Sequence, residues 1–191
     1  EKLQHMGDHF TIPLPQDKGT GLGKPLKIIN HLVRENIPIA IASLGPKSVE
    51  TTAEIADAWL PAFYTPEAAD AVWGGSLKAG KKLRDPNRAV LDIFAGGAVG
   101  IGAGMESHRE KGRAGAALYI GGMGARSKNF YNDIFSKSGY AEEAKLIQDL
   151  YLSGKKDAAA AAIPDDYLAK SSLIGEEAFV TDRINALKES G

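Results

Sequence analysis

Three short apolar segments, separated by helix-like stretches, constrain the fold of this chain more than any other feature. The first reads IPIAIAS (residues 37–43), the second AWLPAF (58–63) and the third AVLDIFAG (89–96). Short apolar runs of this kind suit strands that are buried on both faces, as in a parallel sheet. Strands that alternate with helices favour a parallel α/β architecture. The sequence therefore predicts an α/β fold.

Two helices are predicted between these strands. The first begins at Pro46, with Glu50 in its first turn. Its apolar face is predicted from residues at helical spacing, namely Val49, Thr52, Ala53, Ala56 and Trp59. The second helix opens at the segment TPE (residues 65–67) and continues to about Leu83. From Glu106 onward the pattern is almost wholly helical, so we expect one domain over residues 1–191 whose part 106–191 is mostly helix.

The number of strands bears on the architecture. An eight-stranded barrel needs about 250 residues, and three strands cannot close one. The chain has 191 residues, and its last segment, RINALKESG, stands where a helix would turn into a further strand. If the fold is a barrel, we expect this chain to be an incomplete portion of it, cut at both ends.

The composition excludes several classes of protein. The formal net charge is −1 and no tract of Lys or Arg is present, which argues against a nucleic-acid or anionic-membrane partner. No apolar run approaches the roughly 20 residues that span a bilayer. The chain has no cysteine, which rules out disulfides and thiolate metal sites and suits a reducing cytoplasm. We therefore expect a cytoplasmic protein that uses no metal.

The connection between the first strand and the first helix, Ser43-Leu44-Gly45-Pro46-Lys47, is the principal candidate site. A loop after a parallel strand lies at the carboxyl edge of the sheet, where α/β proteins bind ligands. Gly45 allows close approach of the backbone, and the first-turn amides and helix dipole favour an anion. Ser43 could donate a hydrogen bond, and Lys47 adds a positive charge. The alternative is a plain turn with Pro46 starting the helix and Lys47 solvated.

Several segments resemble one known family. The stretch IPIAIASLGPKSVETTAEIADAWLPAFYTPE (residues 37–67) is similar to the strand–GPK–helix segment of luciferase-like flavin or deazaflavin oxidoreductases. ALYIGGMGARSKNFYNDIFSKSGY (117–140) and SLIGEEAFVTDRINAL (172–187) extend the similarity to the coenzyme F420-dependent branch. The resemblance covers nearly all of this chain but only the later part of the family's barrel.

The resemblance implies a fold and a cofactor site. Family members are (β/α)₈ TIM barrels that hold reduced deazaflavin or FMN at the carboxyl ends of the strands, so this chain would be an incomplete C-terminal portion of a TIM barrel. Backbone groups around Ser43, Leu44 and Gly45 would contact the phosphate-bearing tail of the cofactor. Pro46 and Lys47 would begin the supporting helix.

The resemblance also implies an activity, which is hydride transfer between reduced coenzyme F420 and a small organic substrate. No catalytic residue is assigned, because the residues at the reactive face of the ring come largely from earlier strands of the family barrel. A homo-oligomer, such as a dimer, is expected. Two alternatives stay open: an FMN-dependent monooxygenase, and a non-catalytic fragment or cofactor-binding protein.

Other residues have a functional and a structural interpretation. The glycine corner at residues 121–124 could flank the pocket, with Arg126, Lys128 and Tyr131 facing a ligand and Asn129 either beside them or capping the next helix. Asp57 could lie near the cofactor ring or bind backbone amides at a turn. The tryptophans at positions 59 and 73 are expected in the core, and the glycines of residues 95–104 are expected to permit close packing.

Overall fold

A parallel sheet of three strands confirms the α/β prediction. The computed structural model describes residues 3–25, 29, 31, 33–34 and 36–190. The sheet contains β3 (Ala40–Ala42), β4 (Ala58–Leu60) and β5 (Asp92–Ile93), in that order. β3 and β4 pair from Ala40↔Ala58 to Ala42↔Leu60, and β4 pairs with β5 at Ala58↔Asp92 and Trp59↔Ile93.

The chain divides into two units, Glu1–Ile37 and Pro38–Gly191. In the first, β1 (His5–Met6) pairs antiparallel with β2 (Thr11–Ile12). The second contains the parallel sheet and all of the helices described below. The single domain expected over residues 1–191 stays a prediction.

Helix α1 (Pro46–Ile55) connects β3 to β4. The face predicted from Val49, Thr52 and Ala53 is buried as expected. The helical spacing was wrong for Trp59, which lies on β4. Ala56 has φ −83° and ψ 159°, so the chain has left the helical conformation before it reaches the tryptophan.

The second predicted helix is shorter than expected. A single π-helical turn (Asp70–Gly74) leads into α2 (Gly75–Leu83), which ends at the predicted residue. α2 packs against α1 at Gly80, where an added Cβ atom would lie 2.0 Å from the carbonyl oxygen of Glu50. The glycine therefore allows the two helices to approach closely.

A second parallel pair joins β6 (Val99–Ile101) and β7 (Leu173–Gly175). The interpretation of the chain beyond Glu106 as almost wholly helical omitted β7. Close packing by the glycine-rich segment is confirmed, because an added Cβ on Gly97 would lie 2.3 Å from the carbonyl oxygen of Ser171. Only glycine fits at position 97, where the glycine-rich segment meets the backbone of Ser171.

The remainder of the second unit is helical. A 3₁₀ segment (Met105–Gly112) leads into α3 (Arg113–Gly122), and a π-helical turn (Ser136–Tyr140) separates α4 from α5. The other helices are α4 (Phe130–Phe135), α5 (Ala141–Leu152), α6 (Lys156–Ala161), α7 (Asp165–Lys170) and α8 (Glu177–Glu189). Within the described ranges, none of these helices has both the length and the apolar character needed to cross a bilayer.

Two hydrophobic clusters hold this unit together. One surrounds Trp59 and Trp73, which are buried as predicted, and packs the three-stranded sheet against α1 and α2. The other surrounds Phe135 and Ile147 and joins α3 to α7. In the part of the chain that the structure describes, the strands form sheets of two and three members and no closed barrel.

Candidate functional site

The loop after β3 presents an open helix start. Gly45 is the N-cap of α1, with φ −73° and ψ 151°, and Pro46 occupies the first turn. No side chain in the described residues caps this end. Because the first-turn amides have no partner within a helix, the N–H groups of Lys47 and Ser48 are available to an anion.

Ser43 has a structural role that the sequence did not indicate. Its side chain is buried, and its Oγ lies 2.8 Å from Oγ1 of Thr52. Thr52 uses its single hydroxyl proton to bind the carbonyl oxygen of Ser48 at 2.7 Å. Ser43 must therefore be the donor to Thr52, and its own proton is not available to a cofactor phosphate.

Two tryptophan side chains bind the backbone of this loop from the core side. Trp59 Nε1 donates to the carbonyl oxygen of Ser43 at 3.0 Å, and Trp73 Nε1 donates to that of Leu44 at 3.4 Å. The two indoles meet edge to face with their centroids 5.3 Å apart. Because these carbonyls are bound on the core side, the loop is fixed at the start of α1.

Lys47 lies at the surface of the protein. Its side chain is 90% exposed and its Nζ lies 2.9 Å from Oε2 of Glu50. Exposed pairs of this kind are weak, so the lysine can turn toward a ligand at little cost. Gly45 lies against Phe130, where an added Cβ would meet the ring at 3.4 Å. The loop therefore offers backbone amides and one adaptable cation.

The carboxyl edge of the sheet also supplies part of a cavity of about 550 Å³. β3, β4 and β5 run parallel, so the segments that follow them share this edge. Phe63 and Tyr64 follow β4, Gly96 follows β5, and all three line the cavity. Among the described residues, none of positions 43–47 lines it. The loop and the cavity are thus separate features of one sheet edge.

The cavity continues between the helical layer and β7. The apolar wall of this part is formed by Tyr119 of α3, Tyr167 and Leu168 of α7, and Ile174 of β7. Burial raises the pKa of the Tyr167 hydroxyl above its usual value, because ionisation would place a charge among apolar groups. The phenol therefore stays protonated at neutral pH.

The sequence missed the basic side chains of this cavity. His108, Arg109 and Lys111 line it from the 3₁₀ segment. The sequence analysis named none of these three residues as a site residue. The closely spaced basic residues of SHREKGR (residues 107–113) were the available signal. Their position beside the cavity depends on the pairing of β6 with β7, which the sequence does not show.

Two residues that follow the glycine corner, Asn129 and Arg126, have structural roles. Oδ1 of Asn129 accepts hydrogen bonds from the amides of Tyr131 and Asn132 at 3.0 and 3.2 Å. This confirms the capping interpretation for Asn129. Arg126 pairs with Asp149 instead of facing the cavity.

Asp57 lies at the opposite edge of the sheet. Its Oδ2 accepts a hydrogen bond from the amide of Ile39 at 2.8 Å, and its Oδ1 lies 3.0 Å from Nη2 of Arg88. Both Ile39 and Asp57 precede their strands, so the carboxylate lies at the amino edge. A role beside a cofactor ring at the carboxyl edge was therefore wrong, and the backbone-binding interpretation is confirmed.

Comparison with known proteins shows which family this sequence matches. A sequence model described as luciferase-like monooxygenase matches residues 1–191. A protein of Mycobacterium tuberculosis (strain ATCC 25618 / H37Rv), whose name describes a coenzyme F420-dependent oxidoreductase, is 37% identical over 174 residues. The match covers 89% of this chain and 49% of that protein.

Two solved structures share the fold. One is a coenzyme F420-dependent tetrahydromethanopterin reductase from Methanopyrus kandleri, with a TM-score of 0.59, 21% identity, and coverage of 81% of this chain and 43% of that chain. The other is an F420-dependent secondary alcohol dehydrogenase in complex with an F420-acetone adduct, with a TM-score of 0.54, 16% identity, and coverage of 100% and 48%. The chain spans about half the length of these relatives.

The match of the family model to residues 1–191 confirms the resemblance drawn from IPIAIASLGPK and YIGGMGARSKNFYN. The chain belongs to the luciferase-like monooxygenase family.

Proposed function

We propose that this chain is part of a coenzyme F420-dependent oxidoreductase that transfers a hydride between reduced F420 and a small organic substrate. The observation that carries the proposal is the 37% identity, over 89% of this chain, to a relative named for F420-dependent activity. F420 would supply the hydride chemistry when bound, and the protein would supply binding and orientation. The whole barrel, of which this chain would be the C-terminal portion, belongs to the same proposal.

The loop after β3 is the proposed seat for the negatively charged tail of the cofactor. The amides of Lys47 and Ser48 lie at the open start of α1, and the helix dipole favours an anion there. Gly45 and Leu44 would contribute backbone, while Pro46 would hold the first turn in its helical conformation. Ser43 would support this seat through Thr52 without touching the phosphate.

Titration with oxidised F420 tests the proposal. We expect saturable quenching of its fluorescence by the full-length protein, and substrate-dependent reoxidation of the reduced form. Lys47→Gln should weaken F420 binding about two- to fivefold, the usual size of one exposed charge at a helix start. Lys145→Gln, an exposed lysine on α5, is the matched control and should bind as the unchanged protein does. Equal binding by both variants would remove Lys47 from the site.

An FMN-dependent monooxygenase is the second candidate, because the matching family description names monooxygenases. The same titration with FMN separates the two. Tighter binding of FMN than of F420, together with substrate-dependent oxygen consumption, would favour the monooxygenase. Binding of either cofactor without turnover of any substrate would favour a non-catalytic cofactor-binding protein. A cytoplasmic location and a homodimer remain predictions.

A further inference from the structure

One wall of the 550 Å³ cavity is basic. His108, Arg109 and Lys111 line it, and among the described residues no aspartate or glutamate does. The carboxylate nearest in sequence, Glu110, pairs with Arg113 at 2.6 Å instead. The cavity therefore carries positive charge with no internal counter-charge, which favours an anionic ligand.

Arg109 is held in one orientation. Its Nε and Nη2 atoms donate to the carbonyl oxygen of Ile174 at 2.8 and 2.5 Å. Its guanidinium carbon lies 4.2 Å from the ring centroid of Phe179, a cation–π contact. Within the described residues, Nη1 has no acceptor. A half-buried guanidinium fixed on two sides thus keeps its Nη1 donors available to a ligand in the cavity that it lines.

Tyr167 provides a second donor from inside the protein. Only 3% of the residue is exposed, and its ring packs on Phe63 and Phe135 with centroids 6.2 and 4.7 Å away. Its hydroxyl has no hydrogen-bond partner among the described residues. Since Tyr167 lines the cavity, an acceptor bound there would satisfy this hydroxyl.

The remaining wall has room for a flat apolar body. The ring centroids of Phe63 and Tyr119 lie 6.0 Å apart, and both residues line the cavity. Gly96 and Gly115 also line it, and an added Cβ atom on either would meet nothing within 4 Å. Aromatic side chains beside open space favour the face or edge of a planar ring system.

We propose that this cavity binds a flat, apolar organic anion, with its carboxylate or phosphate group at Arg109 and Lys111 and an acceptor atom at Tyr167. The inference names the substrate class of the proposed oxidoreductase, and its link to redox chemistry rests on that proposed function. The binding itself does not require a cofactor, so it can be tested separately.

Three probes of one shape test the proposal by calorimetry on the full-length protein. They are 2-naphthoate, 2-naphthyl phosphate and the neutral 2-naphthamide. We expect one or both anions to bind at least about tenfold more tightly than the amide, the usual worth of one charged hydrogen bond. The comparison of the two anions identifies the preferred group.

Four variants locate the site. Arg109→Gln should remove most of the preference for an anion, and Lys111→Gln, at an exposed position, should reduce it even if the first variant folds poorly. Tyr167→Phe should weaken all three probes about three- to tenfold. Tyr140→Phe is its control, because the Tyr140 hydroxyl binds Asp166 at 2.7 Å and does not line the cavity.

Equal binding of naphthoate and naphthamide would overturn the inference, as would an anion preference that survives both Arg109→Gln and Lys111→Gln. Competitive displacement of naphthoate by oxidised F420 would assign the cavity to the cofactor and would also overturn it. Anion-selective binding that depends on Arg109, in a protein that does not bind F420, would support this inference and reject the proposed function. F420 binding without anion selectivity would support the proposed function and reject this inference.

Discussion

The hydroxyl group of Thr52 connects two parts of the loop after β3. It accepts a hydrogen bond from Ser43 and donates one to the carbonyl oxygen of Ser48. Thr52 is 1% exposed, so no water replaces a lost partner. The orientation of the first turn of α1 therefore depends on one buried side chain nine positions from Ser43.

Replacement of Thr52 by valine tests this connection. Thr52→Val keeps the shape but leaves the buried Ser43 hydroxyl without an acceptor, so we expect a loss of about 1–3 kcal/mol in the free energy of unfolding. Thr51→Val, at the exposed neighbouring position, should change it by less than about 0.5 kcal/mol. Urea denaturation measures both, and equal values for the two variants would contradict the assigned hydrogen bonds.

The local chemistry of this loop could be predicted, but its partners could not. Pro46 and Gly45 mark a helix start through their own backbone preferences, which the structure confirms. The direction of the Ser43 hydrogen bond depends on Thr52, and the fixed carbonyls depend on Trp59 and Trp73. These contacts arise only after the strands and helices have packed.

At the scale of elements, two glycines of one helix have opposite environments. An added Cβ on Gly80 would lie 2.0 Å from the Glu50 carbonyl oxygen and 2.7 Å from Cβ of Ala53, both on α1. An added Cβ on Gly75 would meet nothing within 4 Å, and its backbone is helical. The same substitution should therefore affect stability in opposite directions.

Gly80→Ala should lower the free energy of unfolding by about 1–3 kcal/mol, because α1 and α2 must separate to admit the methyl group. Gly75→Ala should raise it by up to about 1 kcal/mol, the difference in helix propensity. Thermal and urea unfolding of the two variants provide the comparison. A stabilising effect of Gly80→Ala would mean that the two helices are farther apart than the structure shows.

The pairing of β6 with β7 marks the limit of sequence interpretation at this scale. β7 has three residues between helices, which is too short for a strand period to emerge. Its partner strand lies more than 70 positions earlier, at Val99↔Leu173. Helix α8, which follows it, has 13 residues, enough turns for a helical pattern to emerge from the sequence.

Helix α8 is attached to the rest of its unit through Arg183. The guanidinium, which is largely buried, binds Glu67 and donates to the carbonyl oxygen of Lys170 at 2.7 Å. Burial by itself would raise the pKa of Glu67, but the hydrogen bond and charge of Arg183 outweigh it. The net result is a pKa below the ordinary value of 4.5.

This shift predicts a pH dependence. A carboxyl group with a lowered pKa in the folded state stabilises the protein above its unfolded pKa, and that contribution is lost as the pH falls below about 4.5. Glu67→Gln should cost about 1 kcal/mol at pH 7, since solvent screens the half-exposed carboxylate, and should reduce the loss of stability on acidification. Asp182→Asn, an exposed acid on α8, is the control. An acid transition that is unchanged by Glu67→Gln would rule out this contribution.

At the scale of the whole molecule, the strands of the second unit and the residues beside them present apolar side chains to solvent. Among them, Ile39 is 62% exposed, Val90 80%, Phe94 58%, Val99 66% and Ile101 58%. The chain also spans about half the length of its relatives. The family resemblance predicts a part of a barrel, because it covers only the later segments, and this stays a prediction. The identity of the exposed apolar residues could not be predicted from the sequence, because it depends on the strand pairings.

We expect the 191-residue chain to associate through these strands, in agreement with the predicted homo-oligomer. Ile101→Lys should raise the dissociation constant at least about tenfold, because burying an isoleucine contributes about 1.5–3 kcal/mol and 1.4 kcal/mol corresponds to tenfold. Ile55→Lys, at the end of α1 and 50% exposed, is the matched control and should associate as the unchanged chain does. Sedimentation equilibrium over a range of concentrations measures the constants. A mass of 20.2 kDa at every concentration, or equal constants for the two variants, would show that these strands do not form an interface.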